Sequence, residues 1–413
     1  MRISTNQIFQ NGVDTMIRQQ AALARTQNQL STGRRILSPS DDPSGSVQAL
    51  QFESRISQTN QYQRNLDLAE QRVRFSEVTL GAVSNDLQRI RELAVRANNA
   101  TETDETRRYI ALEMQEILDG LVDLANTRDA NGEYLFAGYQ SQTKPFVVDA
   151  AGTVIYQGDS QSRQVDISPV RKVTVSDPGN AVFEGILDGN GIFRTLVGNN
   201  TGSGVIDSGQ VVDLAAWNTN AADGPFEIRF TQVGEDTTYQ VVDSGGNFVP
   251  VIGEDGTPTT DPVPYVSGSS IQFLGIQVEV QGSPNDGDTF AVRASEAQSM
   301  FASIQDMIDA LNTGVGSSTA PVNNAINRGL TELDNLMGHV LDTRATMGAR
   351  LNVLESQENM NADQILQMKT TLSEIRDLDY AEAISRFSLQ QVSLQAAQLS
   401  YMQVQRLSLF DYF

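Results

Sequence analysis

The 413 residues predict an α+β multidomain chain: N- and C-terminal helices packed together as a coiled-coil-like bundle, with a mainly antiparallel β domain inserted between them. Three observations carry this. No proline occurs between Pro43 and Pro145 or after Pro321. Those gaps permit long helices, since an interior proline costs about 3 kcal/mol. Glycine instead crowds the middle, with 7 in residues 1–145, 20 in 146–292 and 5 in 293–413. The net charge of −22 divides the same way, at −2 (16 minus 18), −14 (5 minus 19) and −6 (8 minus 14) for those blocks.

The first helix carries Val13, Met16, Gln20, Leu23, Gln27 and Leu30 at seam spacing. Glutamine at two inward positions makes that seam too thin to hold an isolated helix in water. The next helix is the strongest element. Tyr62, Leu66, Ala69, Val73, Ser76, Leu80, Val83, Leu87, Ile90, Ala94 and Ala97 follow an unbroken 4-3 alternation with one polar member. Five heptads of that kind specify a coiled-coil-like helix of roughly 54 Å. After the polar break Asn98-Asn99-Ala100-Thr101, the residues Ile110, Met114, Ile117, Leu121 and Leu124 resume the spacing.

Residues 146–292 alternate instead. Phe226–Val233 and Ile271–Val280 read as period-2 strands, separated by turn signals such as Gly245-Gly246-Asn247 and Asn285-Asp286-Gly287. The acidity of this block fits a solvated, self-repelling exterior.

Helices return with Ala297, Phe301, Ile304, Ile308 and Leu311, stopped at Gly314–Ser318. A longer seam runs through Ile326, Leu330, Leu333, Met337, Val340, Arg344, Met347, Leu351 and Leu354, then Ile365, Met368, Leu372 and Ile375. After a phase shift near Asp377-Leu378-Asp379 come Ala383, Phe387, Gln390, Leu394, Ala397, Tyr401 and Val404. This last stretch is again rich in glutamine and serine, so both chain ends are expected to be weakly folded alone and to order against other subunits. The resulting division is 1–42 with 376–413 as terminal helices, 43–145 with 293–375 as the coiled-coil-like domain, and 146–292 as the β domain.

Composition removes most chemistry. With no cysteine there is no disulfide, thiolate metal site or cysteine nucleophile. The single histidine, His339, falls between Met337 and Val340 on a predicted helix and reads as a packed or surface residue. The strong acidity argues against nucleic acid, and no run approaches the roughly 18 apolar residues of a membrane span. The N-terminus lacks the apolar core of a secretory signal. Asp188-Gly189-Asn190-Gly191 fails the calcium-loop rule, and Asp286-Gly287-Asp288 reads as a turn. The Gly-rich Gly198–Gly204 lacks the lysine that would hold phosphate. No cofactor, no metal and no enzyme activity are therefore expected.

Residues 29–45, Gln-Leu-Ser-Thr-Gly-Arg-Arg-Ile-Leu-Ser-Pro-Ser-Asp-Asp-Pro-Ser-Gly, resemble the hallmark of the bacterial flagellin superfamily. So do Met1–Asn6, Asn65–Glu70, Leu87–Val95 and, near the far end, Ile375–Glu382. Gly132-Glu133-Tyr134-Leu135-Phe136-Ala137-Gly138-Tyr139, with Thr143-Lys144-Pro145-Phe146, is similar to hook-associated members rather than to filament flagellin, as is Gly282–Phe290. The ending Phe410-Asp411-Tyr412-Phe413 departs from the usual flagellin terminus.

The resemblance implies a structural subunit of the flagellum, exported unfolded with a chaperone through the type III apparatus and placed outside the cell without a cleaved signal. It would form a ring with copies of itself between the first hook-associated protein and flagellin, with terminal helices innermost and the β domain outermost. Filament flagellin is the alternative within the superfamily, and a glycan-binding role for the β domain is a possible addition. Thr32, Gly33, Arg34, Arg35, Asp41, Asp42 and Pro43 would form the spoke joining terminal to longer helices. Gly33 offers a permissive backbone, and Pro43 can open the next helix. Met16, Leu23, Leu30, Phe387, Leu394, Tyr401 and Val404 would supply the packing of the terminal helices in assembly.

Overall fold

The computed structural model describes residues 5–234, 236–253, 255–313 and 318–406. The expectations on Met1–Ser4 and Phe410–Phe413 lie outside them, and so does the side chain of Val404. Eight α-helices are described: α1 (Thr5–Thr32), α2 (Pro43–Ala97), α3 (Asp104–Ala125), α4 (Gly179–Phe183), α5 (Leu214–Asn220), α6 (Met300–Thr313), α7 (Ala320–Arg376) and α8 (Tyr380–Arg406). Every strand pairing between Phe146 and Gln298 is antiparallel. The chain is thus α+β, with helical ends around a central antiparallel β region.

Two compact units form. The first gathers Met1–Leu66, Ile167–Pro169 and Ser356–Phe413. Within it α1 packs along α8, and the start of α2 pairs with the end of α7 through Arg376 and Glu53 at 2.8 Å. A polar layer sits in this unit. Gln357 donates to the Asn361 side-chain Oδ1 at 2.9 Å, and the Asn361 side-chain amide, the residue being 2 % exposed, donates to the Ile167 main-chain carbonyl at 3.2 Å. The seam therefore continues in polar form between Leu354 and Met368, and a buried asparagine of this kind fixes register.

The second unit holds Asp67–Asp166 and Val170–Glu355. The α2 seam from Ala69 to Ala97 is buried throughout, and from Thr79 onward Thr79 and Leu93 on one flank and Ser84 on the other are buried with it. Here α2 runs antiparallel to α7, as the pairs Glu77 with Arg344 and Arg91 with Asp334 show. On α3 the buried residues are Arg107, Ile110, Ala111, Met114, Leu118, Leu121, Val122 and Ala125. Ile117 and Leu124 only flank that face, because packing on α6 rotates it by one position from the sequence seam. Ala297 is also corrected. It lies in the two-residue strand Ala297–Gln298, paired with Ile186–Leu187, and α6 starts only at Met300.

The β region has two main sheets around one core. The first orders its strands as Phe248–Val249, Asp236–Val242, Phe226–Val233, Thr289–Ala294 and Phe193–Val197. The second contains Ser270–Phe273 and Ile276–Gln281. The sequence run Ile271–Val280 is therefore two strands, joined by Leu274 (φ 48°) and Gly275 (φ 85°) with Phe273 opposite Ile276. The core interleaves aromatic rings edge to face. Trp217 and Phe226 lie 5.9 Å apart, as do Phe230 and Phe290.

The segment Gly132–Phe146 is a bracket whose residues 134–138 and 145–146 are buried while Tyr139 stays exposed. Tyr134, Leu135, Phe136 and Ala137 are all buried, and Phe136, Phe146, Phe183 and Phe301 pack as one aromatic cluster with α6. Gly138 (φ 68°) is required because a Cβ there would lie 2.3 Å from an Asp159 carboxylate oxygen. Asp188 answers the question its loop raised. It is buried, pairs with Arg194 at 3.0 Å and Arg293 at 2.6 Å, and accepts from the Glu296 amide. Arg194 also reaches Glu332 at 3.2 Å, a carboxyl whose pKa burial raises against the lowering by Arg194 and Arg328. Asp288 likewise accepts from the amides of Thr201, Gly202 and Asn285, tying the Gly-rich loop to the turn at Asn285–Asp288.

Candidate assembly joint at the terminal helices

Two helix breaks, Thr32–Asp42 and Asp377–Asp379, lie side by side in the first unit. Each has local causes. The Gly33 amide donates to the Gln29 carbonyl at the end of α1, with Gly33 at φ 69°. That left-handed backbone is where helices end on glycine. A Cβ there would also stand 2.8 Å from the Tyr380 hydroxyl. At the other end of the turn, Asp42 accepts from the Gly45 amide and the Ser44 hydroxyl at 2.9 Å each, capping α2. Pro43 follows as the first helical residue, where its missing N–H costs nothing. Asp379 caps α8 in the same way, through the amides of Ala381 and Glu382.

Between these ends the main chain stitches the breaks together. Arg34 and Asp377 form an antiparallel bridge, with the Arg35 amide donating to Arg376 at 2.7 Å and the Leu378 amide donating to Gly33 at 2.9 Å. Side chains reinforce it. The Arg35 guanidinium donates to the Ile375 carbonyl and reaches Asp42 at 3.4 Å. Asp41 pairs with Arg25 at 2.6 Å and accepts from the Leu37 and Ser38 amides at 3.0 Å. Gln29, buried beneath the turn, donates to the Arg35 carbonyl at 2.6 Å.

These contacts hold the carboxyls ionised. The Ser38 and Leu37 amides, with Arg25, keep Asp41 below its ordinary value. The Gly45 amide and the Ser44 hydroxyl do the same for Asp42. Burial opposes ionisation of Asp377, but Ser373, Arg376 and Arg34 outweigh it and lower its pKa. The joint is thus knit by charge-assisted hydrogen bonds between its own carboxylates, guanidinium groups and backbone.

Of the expected joint residues, Gly33, Arg34, Asp41, Asp42 and Pro43 all fall in this turn. Arg34 gives its backbone to the bridge and its charge to Asp377, while Gln29, Asp377 and Tyr380 take contacts that the sequence alone did not single out. Arg35, expected at the spoke beside Arg34, makes side-chain contacts across the joint.

The packing residues Met16, Leu23 and Leu30 on α1 and Phe387, Leu394 and Tyr401 on α8 are all half-buried. The two helices run antiparallel, with the Tyr401 ring close to Gly12 and Tyr380 close to Gly33. The α1 seam is displaced from its expected register. Gln20 and Gln27 are exposed, and Gln19, Thr26 and Gln29 turn inward instead. The buried carbonyl oxygens of Gln19 and Gln390 have no hydrogen-bond partner among the described residues.

On its opposite side α8 exposes Ile384, Val392, Leu399 and Met402. His339 bonds the Ala181 carbonyl at 2.8 Å, and no group of three or more metal-ligating side chains exists among the described residues. None of the described helices is long and apolar enough to cross a membrane.

The helical ends and the chain as a whole have known relatives. Residues 3–141 match the bacterial flagellin N-terminal helical region, and residues 330–413 the bacterial flagellin C-terminal helical region. The chain is 28% identical over 417 residues to flagellar hook-associated protein 3 of Escherichia coli (strain K12), covering 100% of this chain and 99% of that protein. It is 31% identical to the flagellar junction protein FlgL from Legionella pneumophila, whose crystal structure superposes with a TM-score of 0.69 over 80% of this chain and 100% of that one. The flagellin of Escherichia coli (strain K12) is 24% identical over 84% of this chain and 77% of its own length.

Proposed function

This chain belongs to the bacterial flagellin superfamily, in its hook-associated protein 3 family, and from that membership we propose that it joins the flagellar hook to the flagellin filament as a subunit of a junction ring. Its role is structural and mechanical. It contacts the first hook-associated protein on one side, flagellin on the other and copies of itself within the ring, outside the cell after chaperone-assisted export.

The observation that carries the assembly reading is α8. One face packs on α1 through Phe387, Leu394 and Tyr401, and the opposite face exposes Ile384, Val392, Leu399 and Met402. A helix apolar on both sides needs partners on both sides. The unpartnered glutamine carbonyls inside the α1–α8 pair point the same way, since each such group costs about 1–3 kcal/mol and leaves the isolated pair weak.

Deleting the gene tests the junction role. The expected result is hooks without filaments and unassembled flagellin in the medium; normal filaments on such cells would overturn it. Immunogold labelling along the whole filament, instead of a single band at its base, would favour filament flagellin.

A further inference from the structure

We propose that a basic groove on the first unit receives helix α3 of a second copy of this chain. The proposal rests on the ring-assembly reading and names the surfaces that make one of its contacts.

The groove lies between α2 and α7 and encloses about 480 Å³. Ile56 and Leu372 give it apolar lining, while Arg64, Lys369 and Arg376 bring three cations against one carboxylate, Glu53. In a chain with 29 basic and 51 acidic residues, and lysine only at 144, 172 and 369, that balance is locally reversed. Glu53 is already engaged by Arg376 at 2.8 Å. Arg64 donates only to the neutral Gln61, and Lys369 has no ion pair among the described residues. Two cations therefore remain uncompensated. The lining residues also repeat at helical spacing, as Glu53, Ser57, Asn60 and Arg64 on α2 and Lys369, Leu372 and Arg376 on α7. Two parallel ridges of this kind accept a third helix.

The matching surface is on the second unit. The side of α3 away from α6 presents Glu105, Tyr109, Leu112, Glu116, Asp119 and Asp123, in unbroken 4-3-4-3-4 spacing and all exposed. Tyr109 and Leu112 are 61% and 63% exposed, a large apolar area with nothing over it. Glu116 and Asp123 have no side-chain partner among the described residues, and Asp119 accepts only from Gln115. Tyr109 and Leu112 would cover Ile56 and Leu372, and the carboxylates would meet Arg64 and Lys369. Within its own chain α3 already makes this type of contact, as Arg89 on α2 donates to Glu113 at 3.0 Å.

The two surfaces differ, so the contact is heterologous and repeats from copy to copy, closing a ring or extending a helix. Opposite charge also sets its register and makes it sensitive to salt.

Lys369 makes the test specific. Isotopically labelled and unlabelled full-length chains are mixed and treated with a zero-length carbodiimide cross-linker, and the linked peptides are read by mass spectrometry. The expected product joins Lys369 of one copy to Glu116, Asp119 or Asp123 of the other, and weakens at high salt. Lys369→Glu with Arg64→Glu abolishes it. Mixing that variant with Glu116→Lys, Asp123→Lys chains restores a link between positions 369 and 116 or 123. All four positions lie at helix surfaces, and circular dichroism checks that each variant folds. Links from Lys369 to carboxylates elsewhere, no intermolecular link at all, or loss without rescue in the swapped pair would overturn the assignment. The deletion phenotype is independent: chains that support filament growth but give no such link would discard the groove contact and leave the junction role standing.

Discussion

Replacing Gly33 by alanine perturbs the joint at the point where backbone conformation matters most. At φ 69° any residue with a Cβ meets its neighbouring carbonyl, a cost of about 1–2 kcal/mol. The new Cβ would also stand 2.8 Å from the Tyr380 hydroxyl. Tyr380 is 52% exposed, so its ring can swing aside and the backbone cost dominates. The amides of Arg35 and Leu378 cross the joint and report its opening directly. At 1.4 kcal/mol per factor of ten, their hydrogen exchange should quicken about 5- to 30-fold. A local readout is necessary because a chain with two compact units does not unfold in one step. Gly33→Asn should lose less, since asparagine tolerates the left-handed region despite its larger side chain. Tyr380→Ala in the alanine background should recover only the small steric share. Wild-type exchange in Gly33→Ala, or a larger loss in Gly33→Asn, would refute the backbone argument.

Asp188→Asn should destabilise the second unit by about 1–3 kcal/mol, because Arg194 and Arg293 lose the buried charge between them although Arg194 keeps Glu332 and Asp306 and Arg293 keeps Glu296. Denaturant midpoints measure this, and a loss under about 1 kcal/mol would show the network to be replaceable. The joint should also weaken in acid. Asp41, Asp42 and Asp377 have folded pKa values below the ordinary 3.8, so their stabilisation is complete above 3.8 and disappears as pH falls through the lowered values. Carbon-detected NMR titration should place all three midpoints under 3.8; midpoints at or above it would contradict the hydrogen-bonding account.

Most of the helical architecture could be read from the sequence because a heptad repeats its own evidence. From Ala69 to Ala97 every seam position is buried, and the polar break at Asn98–Thr101 separates α2 from α3. The repeat fails where it is thin. On α1, glutamine or threonine stands at 19, 20, 26 and 27, so the apolar count barely separates the two registers, and packing on α8 decides between them. The strand run at 271–280 carried an unread signal. Inward residues fall at 271 and 273 and then at 276, 278 and 280, a slip of parity that marks a bulge or a turn and here is a turn. Leucine at the first turn position hid it, since that backbone normally selects asparagine, aspartate or glycine. The two-residue strands have too few residues for any period to show.

The joint divides along the same physical line. Gly33, Asp42 and Pro43 were readable because a helix stop, a cap and a first-turn proline act within a few residues of themselves. The bridge to Asp377 was not, because its bonds are main-chain groups that every residue carries and its partners stand about 340 positions away. Arg35 shows the intermediate case. Its charge marks it as a binder, but only the fold reveals that it serves the Ile375 carbonyl and Asp42 together. The α3 stripe is the inverse. Its 4-3 spacing is written in the sequence, yet the apolar members Tyr109 and Leu112 are outnumbered by carboxylates, so a search for core seams passes over it. Only exposure separates a stripe that fills a core from one awaiting a partner. Stripes of this kind therefore stay hidden until the inward faces are known, and what remains outside is then informative.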